Sequence, residues 1–264
     1  MIETIYGLGF LALFSLSALG GVVLRGRLLE QHLSNENMDA IRLVTGLLVT
    51  FAALILSLQL STARTAFNAA SKDRATYAAQ LATLDQCLRR LGPQMEATRL
   101  KLRQYTAAVI ASTWPEEPSA SVEGMPDVRQ MALRGEDPQL SRIMLDIGSA
   151  IESVSPVDAG GSNTAARCRA DYQMVVEGRW AVIEDTHAPS GSLFVSIISI
   201  WLALVFLSFG LQIPRRRLTA VVLLIGVLSV SSVMFVIVDL SEPYTGFFGI
   251  PSAAMRDALA DMNR

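Results

Sequence analysis

Residues able to do chemistry are sparse in this chain, and their spacing does not gather them. There are two cysteines, Cys87 and Cys168, and two histidines, His32 and His187. Each histidine stands alone in a polar stretch and reads as solvated. No Cys/His cluster has zinc-ligand spacing. No Ser/His/Asp, Cys/His or carboxylate pair is spaced so as to converge on a catalytic centre. We therefore expect neither an enzyme nor a cofactor. Arg89, Arg90, Arg99 and Arg103 flank Gly92-Pro93 and read as a solvated face before an anion site. Asp239 closes an apolar run, followed by Glu242, Pro243, Tyr244 and Gly246. An ionisable residue at a membrane edge, repeated by symmetry, forms a ring that attracts cations. The plainer reading is an interfacial carboxylate that marks a helix end.

The elements that position these residues are set by composition. Of 264 residues, 51% are hydrophobic and 17% charged, whereas soluble domains carry about 25% charged residues. That disfavours a water-soluble enzyme and excludes a disordered chain. A net charge of −2 gives no hold on nucleic acid. The apolar excess lies in four uncharged runs, Ile5–Leu24, Leu43–Leu60, Leu193–Ile213 and Leu218–Val238, each 18–21 residues long. About 20 apolar residues in a helix cross a ~30 Å hydrocarbon layer. The runs predict four transmembrane helices. Glu3 near the start and the length of the first run favour a retained span over a cleaved signal peptide. The uncharged spans argue against a proton-coupled pump. Ser196, Ser199, Ser229, Ser231 and Ser232 suit close helix packing.

Short basic loops prefer the cytoplasm. Arg215–Arg217 stand between spans three and four, and Arg25, Arg27 and Arg42 between spans one and two. Both hairpins therefore read as cytoplasmic. Both termini and the segment between spans two and three then lie outside, in the periplasm of a bacterial inner membrane. Arg64, Lys72 and Arg74 pull the other way. Cys87 lies 27 residues beyond Leu60, and Cys168 lies 25 residues before Leu193. On helices running straight off the membrane, both stand roughly 40 Å above it. A disulfide is geometrically open and fits an oxidising compartment. The alternative is two ordinary buried cysteines.

The intervening segment has a helical pattern. Ala63, Phe67, Ala70, Tyr77, Leu81, Leu84, Leu88, Leu91 and Met95 form a seam of alternating four and three spacings. The second span is expected to continue as one helix to Leu91. Gly92-Pro93 then stops it and starts a helix over about 94–113. Asp137-Pro138 predicts a capped helix to Val154, and Asp158–Ser162 a turn. A last helix is expected from Asn163 to Thr186, with Ala166, Met174, Val175, Trp180, Val182 and Ile183 as its apolar positions. Fourteen basic and sixteen acidic residues between 61 and 191 describe a solvated bundle. Pro243 and Gly246 predict a turn that sets Tyr244, Phe247 and Phe248 at headgroup level. A short helix follows from Ala253 to Met262.

Three stretches carry a resemblance: GLLVTFAALILSLQLSTARTAFN, LATLDQCLRRLGPQMEATRLKLR and VIVDLSEPYTGFFGI. The second is similar to a Leu-Asp…Gly-Pro…Arg…Leu-Arg stretch, and the third to an Asp-x-x-x-Pro-x-x-Gly segment. Both belong to the bacterial bestrophin-like membrane proteins that carry a domain of unknown function. The order of two spans, a helical domain and two spans fits as well. Bestrophins are pentameric anion channels whose second helix lines the pore. The resemblance therefore implies a homo-oligomer in which Leu47, Phe51, Leu54 and Leu58 form a hydrophobic neck. Plain packing between neighbouring helices remains the alternative. The sequence departs from bestrophins in two respects. No proline-bearing pore signature lies in the second span, and the charge reading places the large domain outside, where bestrophins keep it cytoplasmic.

The expected fold is all-α. Residues 1–60 form the first transmembrane pair, 61–191 a helical periplasmic domain, 192–240 the second pair and 241–264 an interfacial tail. Two functions stay open: a homo-oligomeric ion channel, or a non-conducting scaffold or sensor whose bundle binds an envelope protein. The expected partners are the lipid bilayer and further copies of the chain, with ions or an envelope protein according to the function.

Overall fold

The structure, a computed structural model, describes residues 2–28, 35–131, 135–155, 158–187, 192–212, 217–244 and 246–264. Arg215 and Arg216 of the basic hairpin, and His32, lie outside the described residues. Eight α-helices are described: α1 Ile2–Arg27, α2 Asn35–Arg90, α3 Glu96–Thr113, α4 Pro138–Glu152, α5 Ala159–His187, α6 Ser192–Gln212, α7 Arg217–Leu240 and α8 Ala253–Met262. No strand occurs among the described residues. α1, α2, α6 and α7 are long and apolar enough to cross a membrane. The chain divides into two compact units, Met1–Phe67 with Pro189–Gly249, and Asn68–Ala188 with Ile250–Arg264.

In the first unit, the core is built from Phe10, Phe14 and Ala18 of α1, Ala52 of α2, Ile198, Leu202 and Phe206 of α6, and Val227 and Met234 of α7. Phe14 and Phe206 stack with ring centroids 5.3 Å apart. Lipid supplies no hydrophobic drive between helices, so close backbone approach must supply contact. Gly21 and Gly210 provide it: a Cβ on Gly210 would sit 2.2 Å from the Ala18 carbonyl, and one on Gly21 would sit 2.1 Å from the Leu207 carbonyl. At the same end, Arg25 donates to the Leu211 carbonyl at 2.9 Å, where the C-terminus of α6 is electronegative. Gln212 donates to the Thr45 hydroxyl at 2.9 Å and joins α6 to α2.

In the second unit, α2 runs unbroken to Arg90, as its sequence lacks any breaker. Gly92, at φ 99°, takes the left-handed conformation that ends it, and Pro93 opens the 3₁₀ turn Pro93–Met95 ahead of α3. The seam is buried: Tyr77, Leu81, Leu84 and Leu88 on α2, then Met95, Leu102, Tyr105 and Val109. The open position between Ala70 and Tyr77 is taken by Arg74, buried with its guanidinium 5.0 Å from the Trp114 ring. Tyr77 and Tyr105 share a hydrogen bond of 2.6 Å, and burial pushes both phenols up. Asp137 caps α4 by accepting from the Gln139 and Leu140 amides.

Two local expectations need correction. Asp158–Ser162 is no free-standing turn, because α5 starts at Ala159 with Asp158 accepting the Gly161 amide at 2.8 Å. The buried face of α5 is Ala165, Cys168, Asp171, Val175, Arg179 and Val182, whereas Met174 and Trp180 are exposed. Two charges on that face hide its period from a reading that follows apolar residues. Cys87 and Cys168 form a disulfide between α2 and α5, with Cα atoms 5.5 Å apart across 81 positions. Closing so long a loop restricts the unfolded chain by about 4 kcal/mol in the chain-entropy picture.

α8 belongs to this second unit, with Met255 and Met262 buried. Asp85, itself buried, pairs with Arg99 at 2.9 Å and Arg89 at 3.0 Å. Both guanidiniums reach on to carbonyls at the C-terminal end of α8, Arg89 to Asp261 and Met262, Arg99 to Met262. These arginines therefore clamp a helix end, and the solvated-face reading fails for them. At the other end of α8, Glu117 accepts from the Ser252 hydroxyl, the Ser252 amide and Arg256. The Ser252 hydrogen bond, with the Arg256 guanidinium, holds the Glu117 carboxyl below its ordinary range.

Gly210→Ala should cost about 1–3 kcal/mol through a forced shift of α1 against α6. A lower melting temperature of the detergent-solubilised protein is the expected reading. For Glu117 the folded pKa is depressed, so its contribution is complete above the ordinary glutamate range and fades as pH falls through the depressed value. Wild type should lose stability across that acid window. Glu117→Gln should show a smaller loss there and a deficit at neutral pH of about 1 kcal/mol or less.

Candidate functional site

The second helix is where the membrane unit is least complete. Leu47, Phe51, Leu54 and Leu58 are 56%, 49%, 63% and 67% exposed. At about 100° per residue they fall within one strip roughly 60° wide. The face of α2 that packs in this unit carries Thr45 and Ala52, both buried, about 130° around the helix. The strip continues in register to Thr62 and Thr65, also exposed. Their hydroxyl protons go back to the Leu58 and Ser61 carbonyls, which leaves their oxygens facing outward as acceptors. The strip is thus apolar over Leu47–Leu58 and polar beyond it. The two threonines escape a reading that ends with the hydrophobic run, although the same helical register would have found them.

Asp239 ends α7 and is 1% exposed. Its two oxygens accept the backbone amides of Phe247 at 2.8 Å and Phe248 at 2.9 Å. Gly246, at φ 111°, lies so close that a Cβ there would sit 2.7 Å from the Asp239 carboxylate. The Asp-x-x-x-Pro-x-x-Gly segment is therefore a clamp: the carboxylate folds the chain back, and glycine makes room. Each carboxylate oxygen thus spends one lone pair on an amide of its own chain, the arrangement of a carboxylate that marks a helix end. Phe247 is left exposed and Phe248 half-exposed, stacked edge-on with centroids 5.3 Å apart. Tyr244 is partnered, and its position on the helix-end turn agrees with the pattern read from Pro243 and Gly246.

The remaining candidates do not converge on these residues. Cys87 and Cys168 are bonded to each other in the second unit. No group of three His, Cys, Asp or Glu that could hold a metal occurs among the described residues. Ser199 and Ser229 donate to carbonyls of their own helices, at Val195 and Ile225, with Ser199 buried and Ser229 exposed.

Several solved structures share this architecture. A crystal structure of a bacterial bestrophin homologue from Klebsiella pneumoniae matches with a TM-score of 0.69 at 15% identity, over 95% of this chain and 97% of that one. Another variant of that homologue matches with a TM-score of 0.70 at 16% identity, over 97% and 98%. A structure described as a membrane protein matches with a TM-score of 0.67 at 16% identity, over 99% and 97%. At such identities the likeness establishes the fold. No curated protein matches the chain. A family model for the bestrophin-like domain matches residues 12–255. With that model spanning nearly the whole sequence, the four candidate spans and the shared fold, the chain belongs to the bestrophin-like family.

Proposed function

We propose that this chain assembles with copies of itself into an ion channel of the bacterial inner membrane, with α2 of each copy facing the axis. Leu47, Phe51, Leu54 and Leu58 then form a narrow apolar neck, and Thr62 and Thr65 supply acceptors where it widens. One observation carries this reading. Only 11% of the apolar window of α2 is covered within its own chain, against 22%, 33% and 22% for the other three candidate spans. The most apolar-exposed helix is the one that a symmetric assembly would cover. A neck of this kind gates by wetting and drying rather than by binding an ion. Chemistry at the neck is absent from the proposal, and so is any enzymatic role.

The same reading places the 61–191 domain in the periplasm, between the membrane pairs 1–60 and 192–240. One observation supports it beyond the basic hairpins, and a second agrees with the number of spans. The Cys87–Cys168 disulfide suits an oxidising compartment. α8 packs into the second unit, so the C-terminal end and the domain share a side, as two intervening spans require. Within the tail 241–264, only 241–249 then remain at the membrane interface.

A second reading is a non-conducting sensor or scaffold that engages an envelope protein through the helical domain. It is favoured by the absence of any polar side chain on the strip before Thr62.

Purified protein reconstituted in planar bilayers should conduct, and Phe51→Ala should raise conductance several-fold by widening the neck. A well-folded preparation that is monomeric and silent would overturn the channel and leave the sensor. For sidedness, Glu123→Cys should react with a membrane-impermeant maleimide in intact cells, while Cys87 and Cys168 resist alkylation until reduced. Labelling of Glu123→Cys only after lysis would put the domain in the cytosol.

A further inference from the structure

Asp171 is a buried carboxyl that the packing of the second unit does not account for. It stands on α5, 5% exposed, and its Oδ2 has no hydrogen-bond partner. The buried carboxylates Asp85 and Asp137 of the same unit are occupied by arginines and by backbone amides. Buried polar atoms are nearly always partnered, and an exception asks for a task. Burial pushes the Asp171 carboxyl above the ordinary aspartate range, against the pull of Arg167 on its own helix and Arg90 on α2. It is therefore held toward its protonated form, as an acid.

What this acid borders is the disulfide. Cys168 lies three residues before it on the same buried face of α5, and side chains three apart on a helix stand with Cβ atoms about 5–6 Å apart. On its other side Asp171 lines a cavity of about 40 Å³ with Thr83, Gln86, Cys87 and Arg90 of α2 and Arg167 of α5. Thr83, Gln86, Arg90 and Arg167 are exposed, so the cavity reaches the surface. It exceeds the ~10–15 Å³ that a water-sized group needs. Cys168 is 0% exposed and Cys87 4%, and Cys87 is the half of the bond that the cavity leads to. Two guanidiniums at the rim favour the approach of an anion such as a thiolate. A sulfur leaving as a thiolate from the fully buried Cys168 side would be costly without a proton.

We propose that the Cys87–Cys168 bond is a thiol–disulfide exchange site for a dithiol reductant that enters beside Cys87, with Asp171 as proton donor to the departing Cys168 sulfur. A thiolate of the reductant attacks Cys87 Sγ and forms a mixed disulfide. The Cys87–Cys168 bond breaks, its electron pair goes to Cys168 Sγ, and the Asp171 proton passes to that sulfur. The reductant's second thiol, as thiolate, then attacks its own sulfur in the mixed disulfide and releases Cys87, which takes a proton from water. The reductant leaves as its own disulfide, two electrons poorer, and Asp171 regains its proton from solvent. Oxidation runs the same steps backward, with the Asp171 carboxylate taking the Cys168 proton. Exchange unties α2 from α5 within the second unit, and the site does not depend on conduction.

The test is the rate at which dithiothreitol opens the bond in the folded full-length protein in detergent. Maleimide labelling counted by mass reads it directly, since the chain has no other cysteine. Each rate is divided by the concentration of reductant thiolate, over a series from about pH 4 to about pH 8 that starts in the ordinary aspartate range. In wild type the normalised rate should be highest at the acid end and fall about tenfold or more as Asp171 loses its proton. Asp171→Asn should be about tenfold or more slower at the acid end and flat with pH, and Asp171→Glu should restore the slope. Arg90→Gln removes a cation that favours the carboxylate, so its fall should move to higher pH. An unchanged melting temperature of the oxidised variants separates lost proton transfer from a loosened fold. A bond that yields to dithiothreitol only after denaturation would overturn the proposal, and so would Asp171→Asn with the wild-type rate and slope. Should Asp171→Asn fail to fold, the wild-type profile and Arg90→Gln decide: a normalised rate flat with pH overturns the role of Asp171, whatever the bilayer recordings give.

Discussion

The constraint on which this architecture rests is that a backbone amide or carbonyl leaving a helix near hydrocarbon must find a partner inside the protein. Asp239 shows the solution most plainly. Where α7 ends, one carboxylate accepts two successive amides eight and nine residues on. Glycine at 246 is obligatory there, because the same carboxylate occupies the space a side chain would need. Arg25 answers the complementary problem by donating to a carbonyl at the end of α6. Away from the spans the same device recurs at Asp137 and Asp158, which cap α4 and α5. Several carboxylates among the described residues are occupied with backbone amides or arginines in this way.

That distinction bears on what the family motifs mean. Asp85, Gly92-Pro93 and Arg99 are the residues by which the resemblance is read, and each has a mechanical task. Glycine and proline turn the chain between α2 and α3, and the aspartate orients two arginines that hold the end of α8. Asp239, Pro243 and Gly246 fold the segment after the last span. The residues on the exposed strip of α2 are leucine, phenylalanine and threonine, types that also fill lipid-facing surfaces. The motif is thus strong where the fold is specified and quiet where ions would pass.

Legibility in the sequence follows the same division. The four apolar runs, the unbroken α2, the stop at Gly92-Pro93 and the cap at Asp137 were readable, because each rests on length, hydropathy or local backbone chemistry. The seam through Tyr77, Leu81, Leu84 and Leu88 was readable from its period. Its Arg74 position and the true face of α5 were not, since burial of Arg74, Asp171 and Arg179 depends on partners from distant segments. The Gly21–Gly210 approach is invisible for the same reason: each glycine is unremarked until the other helix lies against it. At the candidate site, the strip was legible to Leu58 and its polar continuation was missed. Asp239 was legible as a helix-end carboxylate, but position at a helix end does not tell which amides a carboxylate will meet.

Fold and orientation are separable properties in such a chain. The helices of the first unit are held by side chains such as Phe14 and Phe206 and by the glycine contact, none of which distinguishes one face of the membrane from the other. Direction of insertion is governed by a few arginines in short connections, outside that core. A relative can therefore share this fold and face the opposite way at no cost in packing. The disulfide is the feature that would be wasted on the cytosolic side, where thiols stay reduced. Its two cysteines join the helix that continues from the proposed neck to the helix that leads back toward the third span. A covalent tie at that position makes the parts of α2 and α5 in the second unit move together.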